Sequence, residues 1–119
     1  MNRVIVAGGR DFNDYELLRS KLDYYLSNLD DISIVSGGAR GADRLGENYA
    51  IEKGLKLVMF PADWINEGKQ AGYLRNERMA EYATHLIAFW DGKSRGTLDM
   101  INKAKQKGLK IRIIKYGTL

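Results

Sequence analysis

The chain has 119 residues and a formal net charge of +4, a length that suits one domain and a balance that draws phosphorylated partners only weakly. It contains no cysteine, which excludes disulfides and thiolate metal sites. With 45% hydrophobic residues it can bury a core unaided, and no apolar run reaches membrane-spanning length.

Strand and helix patterns alternate from end to end. Arg3 to Ala7 reads as a buried strand. Asn13 or Asp14 can cap a helix carrying Leu17, Leu18, Leu22, Tyr25, Leu26 and Leu29 at helical spacing. Ile32 to Ser36 is a second strand. Gly41 or Ala42 opens a helix to Lys53, with Leu45, Tyr49 and Ala50 inward and Gly54 as its stop. Leu55 to Phe60 is the third strand, ended by Pro61, and a polar stretch runs from Ala62 to Gly72. A helix over Tyr73 to Tyr82 turns Leu74, Met79 and Tyr82 inward. His85 to Trp90 is the fourth strand, and Asp91 to Gly96 a loop. A helix over Thr97 to Lys107 turns Leu98, Ile101 and Ala104 inward, and Leu109 to Ile114 is the last strand.

Short apolar strands without strict alternation fit burial on both faces, as in a parallel sheet between helical layers. Right-handed crossovers then predict an α/β, three-layer, Rossmann-like sandwich. Its mainly parallel five-stranded sheet has the order 3-2-1-4-5, and one domain spans residues 1–119.

In such sheets ligands bind beyond the carboxyl ends of the strands. The unusual residues gather there. Gly8, Gly9, Arg10 and Asp11 follow the first strand, and Ser36, Gly37, Gly38, Arg40, Gly41 and Asp43 the second. Asp91, Gly92, Ser94, Arg95, Gly96 and Thr97 follow the fourth, and the polar stretch adds Lys69, Arg75 and Asn76. Paired glycines let backbone amides approach a ligand, and a following helix adds a positive dipole end. The same glycines also make tight turns. Anion binding is the stronger reading because Ser36 and Thr97 hydroxyls add donors. The spacing is not Gly-x-Gly-x-x-Gly, and Gly92-Lys93-Ser94 lacks the upstream glycine of a Walker A loop.

Arg10, Arg40, Lys69, Arg75 and Arg95 are candidate phosphate clamps. Asp43 reads either as a partner of its helix dipole or as an acceptor for ribose hydroxyls. Asp11, Asp43 and Asp91 can also be imagined around Mg2+, a reading that ranks below anion binding, so no metal site is assigned. Trp64 and Trp90 serve equally to stack on a base or to cover the core.

The stretches Ala7-Gly8-Gly9-Arg10-Asp11-Phe12, Ser36-Gly37-Gly38-Ala39-Arg40-Gly41-Ala42-Asp43, Arg75-Asn76-Glu77-Arg78-Met79 and Phe89-Trp90-Asp91-Gly92-Lys93-Ser94-Arg95-Gly96-Thr97 occur in this order. So do Ala62-Asp63-Trp64 and Gly68-Lys69-Gln70-Ala71-Gly72 between the second and third of them. With these stretches the chain resembles the SLOG superfamily, in its small YspA-like branch. The resemblance implies a Rossmann-like domain whose glycine motifs bind nucleotides or nucleotide-derived ligands, possession of an enzymatic activity being left open. Related branches include the Lonely Guy phosphoribohydrolases and the single-stranded-DNA-binding DNA-processing protein A. The hydrolase pattern Pro-Gly-Gly-x-Gly-Thr followed by acidic residues is here Asp91-Gly92-Lys93-Ser94-Arg95-Gly96-Thr97-Leu98-Asp99-Met100, so catalysis would fall to Asp99 or Asp91.

The leading expectation is therefore binding or sensing of a nucleotide or nucleotide-derived small molecule. A nucleoside-phosphate N-glycosidic hydrolase and a single-stranded nucleic-acid binder are the alternatives. The expected setting is the cytoplasm, with no membrane partner. Relatives of this kind often pair, and Tyr24, Tyr25 and Tyr73 permit a homodimer or higher oligomer.

Overall fold

The computed structural model describes residues 1–117, so the last two residues of the expected 1–119 domain lie outside the described part. Its elements are β1 (Asn2–Gly8), α1 (Tyr15–Leu26), β2 (Ile32–Ser36), α2 (Ala42–Lys53), β3 (Lys56–Met59), α3 (Trp64–Glu67), α4 (Ala71–Tyr82), β4 (His85–Trp90), α5 (Arg95–Gln106) and β5 (Lys110–Lys115). The strands form one all-parallel sheet in the order β3-β2-β1-β4-β5, the expected Rossmann-like topology.

Side chains alternate across a strand, so the central strands serve two cores. Val4, Val6, Ile34, Ile87 and Phe89 face Leu18, Leu22 and Leu26 of α1 and Tyr49 and Ala50 of α2. Ile5, Ala7, Val35, Leu86 and Ala88 face Met79 and Ala80 of α4 and Met100, Ile101 and Ala104 of α5. Each large side chain buried this way contributes roughly 1.5–3 kcal/mol, so truncating Leu18 or Ile5 would cost a large fraction of the stability. Gly46 lets α2 sit low on the sheet, because a Cβ there would come within 2.7 Å of the Val6 side chain.

The helix ends follow local chemistry. Of the two candidate caps for α1, Asp14 serves: its side chain accepts from the Leu17 amide at 3.0 Å. Gly54 ends α2 in the left-handed conformation.

The polar stretch Ala62 to Gly72 is made of short helical turns, and two expectations for the helices that follow are corrected. Asp63 caps the short helix α3 by accepting from the Asn66 amide, a 3-10 turn over Gly68–Gln70 follows, and α4 begins at Ala71. On α4, Leu74 is exposed and Tyr82 only half-buried, while Ala71, Asn76, Met79 and Ala80 turn inward. On α5 the buried stripe is Thr97, Met100, Ile101 and Ala104, an i, i+3, i+4, i+7 pattern that leaves Leu98 outside. The inward faces combine Met79, Met100 and Ile101 with small and polar residues, and both helices pack on the sheet and on each other.

Candidate functional site

Strand order reverses between β1 and β4, and a crevice opens beyond their carboxyl ends. It holds a cavity of about 500 Å³. Gly8, Gly9, Arg10 and Asp11 line it from the end of β1, and Asp43 from the first turn of α2. Lys69, Arg75 and Asn76 line it from the α4 side. Asp91, Ser94, Gly96 and Thr97 line it from the β4–α5 connection. A smaller hollow of about 290 Å³ adjoins it, sharing Arg10, Ala39, Trp64 and Arg75, and reaches Gly37, Gly38 and Arg40.

The second glycine junction, expected to cradle phosphate, is knit by hydrogen bonds of its own. Ser36 is fully buried. Its Oγ donates to Glu47 at 2.6 Å and accepts from the Gly38 amide at 3.1 Å. The Ala39 amide donates to Asp43 Oδ2 at 3.2 Å. A carboxylate of the protein itself therefore occupies the place where an anion was expected. The Gly37 carbonyl accepts from Arg75, and a side chain at Gly37 would strike that guanidinium. Ser36 and Gly41 do not reach the cavity. Gly41 has φ +75, and a Cβ there would lie 2.1 Å from the Gly9 carbonyl oxygen.

The first junction is the open one. Phe12 anchors it below, stacked on Phe89 with ring centroids 4.9 Å apart and edge-on to Tyr116. This leaves Arg10 and Asp11 on the surface, at the cavity rim. Tyr116 Oη donates to Asp11 Oδ1 at 2.6 Å. Nothing in the sequence pattern singles out Tyr116, which lies beyond the last strand.

The remaining wall is the α4–α5 pair. Asn76 is buried, accepts from Arg75 Nε and donates to the Gly96 carbonyl and to Asp99 Oδ2. Asp99 also pairs with Lys103 at 3.0 Å and does not line the cavity. Expected in the chemistry, it instead stands behind the wall, linking α5 to α4 through Asn76. Ser94 caps α5 by accepting from the Thr97 amide, and the Thr97 hydroxyl donates to the same oxygen. A Cβ on Gly96 would meet nothing, so that turn is open to a ligand. Trp64 is 52% exposed and borders both hollows. Trp90 is instead a structural residue, its Nε1 donating to the Ser94 carbonyl. Gly72 and Met79, from the stretches that carry the resemblance, also line the cavity, as do Tyr73 and Met100, which carry no signal in the sequence beyond helical periodicity.

Electrostatically the two ends of the cavity differ. Burial pushes the Asp43 carboxyl up from 3.8 to about 6, against the Ala39 amide and the Arg75 guanidinium, while Glu47 adds to the rise. Arg75 is held below its usual value by burial, with Asp43 opposing and Arg10 adding to the depression. The Lys93 and Ser94 amides hold the Asp91 carboxyl below the usual carboxylate range. Among the described residues, no group of three or more His, Asp or Glu side chains converges to hold a metal ion. Asp11, Asp43 and Asp91 are engaged separately, by Tyr116, Ala39 and the Lys93–Ser94 amides.

Fold and site together define a doubly wound parallel α/β domain with a polar, cation-bearing cavity at its switch point. The model of the YspA, cpYpsA-related SLOG family matches residues 2–66, and the chain belongs to that family. It is 32% identical to the Gene 61 protein of Mycobacterium phage D29 over 124 residues, covering 98% of each. Its fold is similar to that of DNA processing protein A (DprA) from Streptococcus pneumoniae in an X-ray structure, with a TM-score of 0.72 at 18% identity. That likeness covers 99% of this chain and 51% of the other, so the chain spans about half of that protein's length. No helix among the described residues is long and apolar enough to cross a membrane.

Proposed function

We propose that the chain binds a nucleotide or nucleotide-derived ligand in the cavity at the carboxyl edge of the sheet. The observation that carries this reading is the convergence of Arg10, Lys69 and Arg75 on one cavity, none of them in an ion pair among the described residues. Arg75 feels the Asp43 carboxylate, but Arg10 and Lys69 have no such partner, and cations left this way favour an anionic guest. The first turn of α5 supports the same reading, since its dipole favours negative charge and Gly96 leaves room for close approach. A volume of about 500 Å³ suits a small-molecule site, for which roughly 300–1,000 Å³ is usual. The lack of cysteine agrees with a cytoplasmic setting.

Calorimetric titration of the purified chain with nucleoside monophosphates, ADP-ribose and cyclic nucleotides tests the reading. Saturable binding is expected, weakened by inorganic phosphate and by Lys69→Ala. No heat with any of them, or binding indifferent to Lys69→Ala and Gly96→Val together, overturns it.

A hydrolytic reading rests on Asp91, the one of the two candidate carboxylates that lines the cavity. Release of free base from the same ligands, lost in Asp91→Asn, would support it.

A further inference from the structure

The second glycine junction presents the cavity with an acceptor where a donor was expected. Asp43 is 5% exposed and sits in the first turn of α2. Its Oδ2 is taken by the Ala39 amide. Within the described residues no hydrogen bond reaches Oδ1, yet no fully buried side-chain nitrogen or oxygen lacks a partner. Oδ1 therefore meets the open space of the cavity that Asp43 lines. Of the neighbouring donors the Gly38 amide is spent on Ser36, and Arg75 commits Nε to Asn76 and one terminal nitrogen to the Gly37 carbonyl, keeping its other terminal nitrogen free. A phosphate placed against this wall would face a carboxylate and few free donors. The first turn of α5, where Ser94, Gly96 and Thr97 line the same cavity, attracts an anion instead.

A ligand that satisfies both walls carries negative charge at one end and hydrogen-bond donors at the other. A sugar phosphate has this polarity, with the ring hydroxyls as donors. Resting on the nucleotide reading above, we infer that Asp43 accepts from the ribose 2′-hydroxyl of the ligand through Oδ1, and that the site thereby selects ribonucleotides over their 2′-deoxy counterparts.

A site built to bond a hydroxyl rejects the analogue lacking it, because the buried acceptor is then left unpaired. The experiment titrates the full chain with AMP, GMP, CMP and UMP and with their 2′-deoxy forms, in the wild type and in Asp43→Asn. For whichever bases bind, the wild type is expected to hold the ribose form about tenfold or more tightly. In Asp43→Asn, which keeps an acceptor for Ala39, that ratio falls to within about twofold. Equal affinity of ribose and deoxyribose forms for the wild type overturns the inference while leaving the nucleotide reading in place. So does a ratio unchanged in Asp43→Asn. Absence of binding by every nucleotide overturns the nucleotide reading, and the inference with it. Should Asp43→Asn fail to fold, the wild-type ratio decides alone.

Discussion

The carbonyl oxygen of Gly9 accepts a hydrogen bond from the amide of Ala42, at 3.2 Å. Residues that follow two different strands are thereby locked together, and the first amide of α2 is satisfied by the loop after β1. The same oxygen also accepts from Phe12, and the Gly9 amide donates to Phe89 of β4. Gly9 thus ties β1, α2 and β4 at one point, directly under the cavity.

Gly41 is the residue that permits this contact. With φ +75 and a Cβ position 2.1 Å from the Gly9 oxygen, Gly41→Ala meets both backbone strain and a clash with main chain that cannot swing away. A loss of about 3 kcal/mol is expected from urea unfolding. A midpoint unchanged from wild type would show that the two junctions are not docked in solution.

Gly96 gives the opposite result. Its Cβ position is open and its φ is not positive, so Gly96→Ala should leave stability within about 1 kcal/mol, with helix propensity favouring alanine. Affinity for a phosphorylated ligand should nevertheless fall, because the methyl group narrows the approach to the first turn of α5. Unfolding and calorimetry on the same preparation separate the two effects. Unaltered affinity would move the anion elsewhere in the cavity.

Asp43 makes stability depend on pH in an unusual direction. In the fold it keeps its proton up to about pH 6, whereas the unfolded chain releases it near 3.8. Between those values the folded state holds more protons, so rising pH favours unfolding, by on the order of 3 kcal/mol across the window. His85 works against this. Burial, with Lys110 and Arg112, lowers its value below the usual 6.5, so its contribution to stability is lost as pH falls. The difference between wild type and Asp43→Asn cancels the histidine. Asp43→Asn should gain stability relative to wild type as pH rises from 4 to 7, followed by thermal unfolding. Parallel curves for the two proteins would refute the buried charge.

Asp99 should behave as a structural residue. It joins Asn76 and Lys103 between α4 and α5 and is largely covered. Asp99→Asn still offers Asn76 an acceptor and loses mainly the lysine pair, a cost of about 1 kcal/mol. Nucleotide affinity and any base release should stay within about twofold of wild type. An activity abolished by this substitution alone would bring the carboxylate back into the chemistry.

Apolar runs such as Val4 to Ala7 and Leu86 to Phe89, and the helical stripes between them, were legible from local order alone. They led to the parallel sheet and its strand sequence, because periodicity and the handedness of crossovers are properties of short stretches of chain. The rim on which Gly8, Arg10, Lys69, Arg75 and Gly96 gather was legible for the same reason. Which polar group bonds which was not. Ser36 turning away to Glu47, Asp43 filling its own junction and Asp99 closing onto Asn76 depend on how closely the helices settle on the sheet and on each other. Tyr116 reaches Asp11 across 105 positions, and Gly46 matters only because Val6 lies beneath it. Hydrogen bonds and close contacts are decided by juxtaposition in space, and only the folded chain brings such distant residues to within a few ångströms.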